Sequence, residues 1–164
     1  MNKKYFHSIL MFLTSVLVIA MVSCNPASKY EKAEKESISN YLNNHPTDTF
    51  TLETSGLYYH QVLLGTGPTP VTHDTAYVVY TGKFLDGTVF DSNVGETNLI
   101  FPVDEGVLIQ GFDEGITYMK QGGKAQFLLP SKLAYGTQGY YTIGGYTPLI
   151  YDVELVRVKP GPVK

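Results

Sequence analysis

Val79-Tyr80-Thr81-Gly82-Lys83-Phe84-Leu85-Asp86-Gly87-Thr88-Val89-Phe90-Asp91-Ser92 is the stretch on which the fold turns. Asp86-Gly87 lies between two apolar runs, and this pair suits the left-handed backbone of a tight turn, so the segment predicts a β-hairpin. Just upstream, Ala76 to Gly82 is rich in Val and Tyr, the composition of a half-buried strand. Leu57 to Leu64 is a further candidate strand, closed by Gly65-Thr66-Gly67-Pro68. Downstream, Lys124 to Leu129 and Leu149 to Val158 read as strands; in the second, Leu149, Tyr151, Val153 and Leu155 alternate with Asp152 and Glu154, which places one face inside.

One helix interrupts this pattern. Ile109, Phe112, Ile116 and Met119 follow one another at helical spacing and share a face, and Gly122-Gly123 supplies the stop. The expected class is α+β: an antiparallel sheet whose apolar face is covered by one short helix.

Ahead of the sheet the chain has a different character. Lys3 and Lys4 precede an apolar run from Ile9 to Val22, interrupted by Thr14 and Ser15. The run is short for a spanning helix, which needs about 20 residues, and suits a signal peptide. It ends in Met21-Val22-Ser23-Cys24, which resembles a bacterial lipobox with the chain's single Cys in the lipidated place. Cleavage before Cys24 would leave 10 basic against 15 acidic residues, net -5. That sign gives no attraction to anionic lipid, so the acyl chains would do the anchoring. The alternatives are an uncleaved anchor and a plain secretory signal. Asn25 to Ser28 reads as tether. Tyr30 to Leu42 reads as a helix with a weak stripe of Ala33, Ser37 and Tyr41 beside Ile38 and Leu42, ended by His45-Pro46. It is expected to be solvated and packed lightly on the domain. The expected organisation is a signal over residues 1–23, a lipidated tether with a short helix over 24–53, a folded domain over 54–159 and a tail over 160–164.

Composition narrows the function. The 164 residues, 43% hydrophobic, make one domain. A net charge of -3 without a basic cluster argues against nucleic-acid binding, and one Cys excludes an intramolecular disulfide and a Cys-based zinc site. His7, His45, His60 and His73 are not at metal-ligand spacing, with His60 and His73 expected at exposed strand ends, so neither metal nor cofactor is expected. There is no nucleophile elbow and no phosphate-binding Gly-rich loop with a Lys. Asp113-Glu114 near a helix start reads as a complement to the helix dipole rather than an acid/base pair.

Four segments then bear on function together. The opening stretch, Val107-Leu108-Ile109-Gln110-Gly111-Phe112-Asp113-Glu114-Gly115, Leu133-Ala134-Tyr135-Gly136 and Tyr151-Asp152-Val153-Glu154-Leu155 resemble, in order and at near-family spacing, the FKBP-type peptidyl-prolyl isomerases. The resemblance covers roughly Thr54 to Lys159. It implies a half-barrel sheet wrapped around the short helix, with a shallow apolar pocket between them. By position it assigns Tyr80, Phe90, Asp91, Ile109, Phe112, Tyr135 and Tyr151 to catalysis, and Leu99, Leu108, Tyr140 and Ile143 to substrate binding. It implies that the Ile109 N–H and the Tyr135 hydroxyl donate to substrate carbonyls, and that Asp91 holds a neighbouring hydroxyl, with Tyr80 the candidate. Three positions depart from the family: Phe112 stands where Trp is frequent, Leu99 where an aromatic is usual, and Tyr151 where Phe is usual. Between Tyr135 and Tyr151 the chain is one residue short. Macrolide affinity is therefore expected to be weaker.

The implied function is isomerisation of Xaa-Pro bonds in exported or envelope proteins by a monomer tied to the membrane, the outer membrane favoured, through lipid on Cys24. The competing readings are a proline-peptide-binding or chaperone module without turnover, and a structural lipoprotein docking through the helix at 30–42.

Overall fold

A computed structural model of the chain describes residues 26–162. The signal segment and Cys24 lie outside the described residues. The chain divides at Tyr30 into two units. Of the first, the described part is the opening of helix α1 (Pro26–Asn44); the rest of α1 and all other elements belong to the second. Helix α1 starts earlier and ends later than the sequence suggests, so Pro26 to Ser28 are helical rather than tether.

Seven strands form one antiparallel sheet: β1 (Thr51–Leu52), β2 (Tyr58–Leu63), β3 (Thr75–Phe84), β4 (Val89–Ser92), β5 (Leu99–Pro102), β6 (Lys124–Leu129) and β7 (Leu149–Lys159). Their order is β1-β2-β6-β7-β3-β4, with β5 also on β3. The hairpin forms as expected between β3 and β4: Gly87 takes a φ of 87°, and the Phe84 N–H donates to the Thr88 carbonyl at 2.9 Å. β1 and β5 carry no strand signal of their own; both are short, β1 held by the next strand, β2, and β5 by the start of β3.

Helix α2 (Gln110–Thr117) covers one face. Phe112 and Ile116, with Met119 just beyond, join Phe127, Leu129, Tyr151, Val153 and Leu155 in the main core. The helix can approach because Gly111 and Gly115 face the sheet. A Cβ at Gly115 would lie 2.7 Å from the Phe127 ring, and one at Gly111 would lie 2.6 Å from Leu129 Cδ2. The alternation expected in β7 holds up to Leu155. A bulge then intervenes, pairing Val78 with Leu155 but Tyr77 with Arg157, so the inward position moves to Val158.

The opposite face of the sheet is covered too. Ile38 of α1 is buried against Leu128 and Ile150, with Tyr41, Leu42, Phe50 and Tyr58 around them. This corrects the expectation of a lightly packed helix. Ile38 alone contributes on the order of 1.5–3 kcal/mol on burial, and Ala33, read as part of the stripe, is exposed. Strands β6 and β7 are apolar on both sides, which is why Leu128 and Ile150 break the simple alternation.

Asp113 and Glu114 do more than complement the helix dipole. Buried Asp113 accepts from the backbone N–H of Asp104 at 2.8 Å and of Gly106 at 3.2 Å, fixing the loop that leads into α2. Glu114 accepts from Ser55 Oγ at 2.7 Å and from the Tyr118 hydroxyl at 2.9 Å. His73 is exposed as expected and pairs with Glu105, whereas His60 is half-buried, 3.2 Å from the Thr49 carbonyl.

Candidate active site

Three strands deliver aromatic rings to one place above α2. Phe112, 2% exposed, is the floor. Tyr151 from β7 meets it nearly edge-on, with centroids 5.2 Å apart, and Tyr80 from β3 does so at 5.7 Å. Phe90 from β4 stands at 5.7 Å from Tyr151, almost perpendicular to it. Phe101 and Phe127 close the underside of Phe112 at 6.1 and 5.9 Å. Edge-to-face contacts of this kind add to the apolar burial and hold each ring at a fixed angle. Phe101 thus belongs to the core beneath the site, and Phe84 backs Phe90 at 5.3 Å.

A sparse set of polar groups lines the rim. The Tyr80 hydroxyl donates to Asp91 Oδ2 at 2.6 Å, the bond anticipated for this pair. Burial, and then the hydrogen bond to Asp91, push the Tyr80 phenol well above its ordinary value. Tyr151 is also raised, by burial first and then by its electrostatic and hydrogen-bond interaction with Tyr135. Both phenols therefore stay neutral at physiological pH, and the hydroxyl that Tyr151 adds to this wall lies within electrostatic reach of Tyr135. The Ile109 N–H, at the start of α2, makes no hydrogen bond to any described residue, while the Ile109 carbonyl accepts from Phe112 and Asp113. That leaves the Ile109 N–H among the unpaired donors of the helix N-terminus.

The remaining candidates separate. Leu99, Leu108 and Ile109 are half-buried against the main core at the margin of the ring cluster. Tyr140 stacks on Tyr135 with the planes 9° apart, and Tyr141, 92% exposed with a φ of 48°, stands across Tyr140 at 4.6 Å. Ile143 is 6% exposed and belongs to the core; its backbone exchanges two 2.8 Å hydrogen bonds with Tyr140. Its part in the rim is therefore to hold Tyr140.

Two residues that the sequence reading did not single out shape the site. Asn93, 8% exposed, accepts from the Tyr80 N–H at 2.7 Å and donates to the Val78 and Thr97 carbonyls at 3.0 and 3.2 Å. Its side chain replaces the strand partner that Tyr80 lacks where β4 ends. Gly82 lies opposite both Asp91 and Tyr151 in the sheet register. A Cβ there would meet the Phe90 ring at 2.6 Å and Tyr151 Cε1 at 3.0 Å. An isolated Gly inside a strand pattern is the signal that marks such a close approach.

Residues 67–156, which carry the hairpin, the floor helix and most of β7, match the family of FKBP-type peptidyl-prolyl cis-trans isomerases. The chain belongs to this family. It is 39% identical over 137 residues to the FKBP-type peptidyl-prolyl cis-trans isomerase FkpA of Aeromonas hydrophila, covering 78% of this chain and 50% of that protein. Against FkpA of Escherichia coli K12 the identity is 42% over 110 residues, with 66% and 40% of the two chains covered. The chain thus spans about half the length, or less, of these curated relatives. Among solved structures, a peptidyl-prolyl cis-trans isomerase from Pseudomonas syringae pv. tomato superposes with a TM-score of 0.71 at 27% identity, over 84% of this chain and 99% of that one. The crystal structure of FkpA from Escherichia coli gives 0.68 at 29% identity, over 99% of this chain and 75% of that one. The FKBP-like sheet wrapped on a short helix is thus shared with proteins of known structure.

Proposed function

We propose that this FKBP-type protein catalyses cis–trans isomerisation of Xaa-Pro bonds in proteins of the bacterial envelope. The observation that carries the reading is the cluster of rings formed by Tyr80, Phe90, Phe112 and Tyr151, with the Tyr80–Asp91 hydrogen bond at its edge. Rotation about the bond must break amide resonance, a barrier of about 18–20 kcal/mol. No base or nucleophile is needed, in keeping with a site built from neutral rings. The planar amide is polarised and well solvated in water; the twisted amide is less dipolar and is relatively favoured between apolar walls. The proline ring sits over Phe112. The Ile109 N–H and the Tyr135 hydroxyl hold the flanking carbonyls, while Asp91 fixes the Tyr80 hydroxyl beside the twisting group. Isomerisation is slow enough to limit folding, so a catalyst at the site of export has a use.

The test is cis/trans exchange in a set of Xaa-Pro peptides, measured with the purified full-length chain. Acceleration is expected, with kcat/KM reduced about tenfold by Asp91→Ala and by Tyr135→Phe, the scale of one lost charged or neutral hydrogen bond in the transition state. Peptide binding without acceleration would instead mark a binding module.

The same proposal places the protein at the membrane through lipid on Cys24, on the strength of the apolar run that ends there. Cys24→Ala is expected to move the protein from the membrane to the soluble fraction and to abolish incorporation of labelled palmitate. Retention of both would rule out the anchor.

A further inference from the structure

We infer that Glu34 of helix α1 is a positioning residue for isomerisation: its carboxylate fixes the turn that presents Tyr135. This rests on the reading of Tyr135 as part of the site. The turn begins as the 3-10 helix Ser131–Leu133, preceded by Pro130. A helix start leaves backbone N–H groups in need of acceptors, and the Pro130 side chain has no acceptor to offer. The acceptor comes instead from far along the chain. One oxygen of Glu34 takes the Ser131 N–H, and the other takes the Ser131 hydroxyl at 2.9 Å.

Ser131 then passes the constraint on. Its carbonyl accepts from the Ala134 N–H at 2.9 Å and from the Gly136 N–H at 2.7 Å, so the residues on either side of Tyr135 hang from one atom. Gly136, in the left-handed region at a φ of 63°, returns the chain, and its carbonyl accepts from the Tyr146 N–H at 2.9 Å to close the loop. Tyr135 lies in neither helix nor strand. Its orientation is set by these bonds, by the Gly139 N–H donating to its carbonyl at 3.1 Å, and by its stacking on Tyr140.

The other end of the tie is equally firm. Ile38 lies one turn beyond Glu34 on the same side of α1 and is buried against Leu128 and Ile150. Leu128 leads through Leu129 and Pro130 into Ser131, so the anchor and the carboxylate grip one continuous segment. Ser131 itself is 4% exposed, which keeps water from competing for its N–H and hydroxyl. Bonds from such donors to a carboxylate are short and strong compared with neutral ones. An ångström of displacement in a group that orients substrate costs up to about a hundredfold in rate, so a tie of this kind is felt in catalysis and not only in stability.

The test compares Glu34→Ala, Glu34→Gln, Tyr135→Phe and the double variant Glu34→Ala/Tyr135→Phe in the full-length chain. It reads kcat and KM separately on an Xaa-Pro peptide, together with amide hydrogen exchange at Ala134 and Gly136. Glu34→Ala is expected to lower kcat about five- to tenfold, to leave KM within about twofold, and to speed exchange at both amides. Glu34→Gln restores kcat and protection, because its carbonyl oxygen still accepts from the Ser131 N–H and its amide donates to the hydroxyl. In the Tyr135→Phe background the Ala substitution costs little more. An unchanged kcat in Glu34→Ala, or a loss as large without the Tyr135 hydroxyl as with it, overturns the inference. If Glu34→Ala does not fold, Ser131→Ala decides: it keeps the backbone bond and loses the other, and wild-type kcat and exchange in that variant overturn the inference. Wild-type kcat in Tyr135→Phe overturns the site reading instead and removes the catalytic role of Glu34, while amide exchange in Glu34→Ala still reports whether the tie exists.

Discussion

Phe112→Ala is expected to cost about 3–5 kcal/mol of folding stability, the range for removing a buried phenyl ring. Phe112 belongs at the upper end because it meets Tyr80, Phe101, Phe127 and Tyr151 within about 6 Å, from four directions. Neighbours on strands of one hydrogen-bonded sheet cannot collapse together into the space it leaves, so the cavity persists. Domains of this size are stable by about 5–15 kcal/mol, so one substitution removes a large fraction. Urea denaturation reads the loss directly: the midpoint should fall with the slope unchanged. A loss below about 1 kcal/mol, small on the scale of core truncations, would mean that Phe112 is a lining residue and not the keystone of the core. Activity should fall with it, since the floor under the proline ring is the same side chain.

Gly82→Ala should produce the opposite balance, a modest loss of stability and a large loss of turnover. Its added methyl enters where Phe90 and Tyr151 nearly touch the backbone, at 2.6–3.0 Å. Overpacking of this kind costs about 1–3 kcal/mol. Rings moved by about an ångström no longer match the twisted amide, and misplacement on that scale costs up to about a hundredfold. The decisive comparison is kcat/KM against the denaturation midpoint in one preparation. Wild-type turnover in Gly82→Ala would show that the two walls can shift without consequence, which would remove them from the catalytic set.

The two substitutions also mark how far the site was legible in the sequence. Phe112 could be found because it lies on a helical stripe and inside a motif. Tyr80, Phe90 and Asp91 could be found because the hairpin stretch resembles the family's motif, and the Tyr80–Asp91 bond expected from that resemblance is present. Gly82 and Asn93 escaped for a shared reason: each acts through space on residues whose proximity exists only once β3, β4 and β7 are paired. The strands β1 and β5 escaped because two- and four-residue segments carry too little pattern to stand out from their flanks. For α1 the sequence signal was a weak amphipathic stripe. What makes the helix matter is a strip of Leu128 and Ile150 on the outer side of the sheet, which a reading of one apolar face per strand passes over. The bulge after Leu155 likewise reverses the inward parity at Val158 and has no turn residue to announce it.

The sheet's margins have a consequence of their own. Its ordered path ends in β1, two residues long, and in β4, four residues long and offset by a bulge against β3. The longest strands, β3 and β7, sit inside, paired on both sides, whereas β2 is covered by β1 only at Tyr58 and Tyr59. A protein that meets incompletely folded chains works among segments seeking a backbone to zip onto, and a long bare margin would recruit them into intermolecular β structure. The terminal strands β1 and β4 are too short to offer a long run of unpaired amides to such growth. On the proposed isomerase reading, such terminal strands would let a client be met through its side chains while denying it a template.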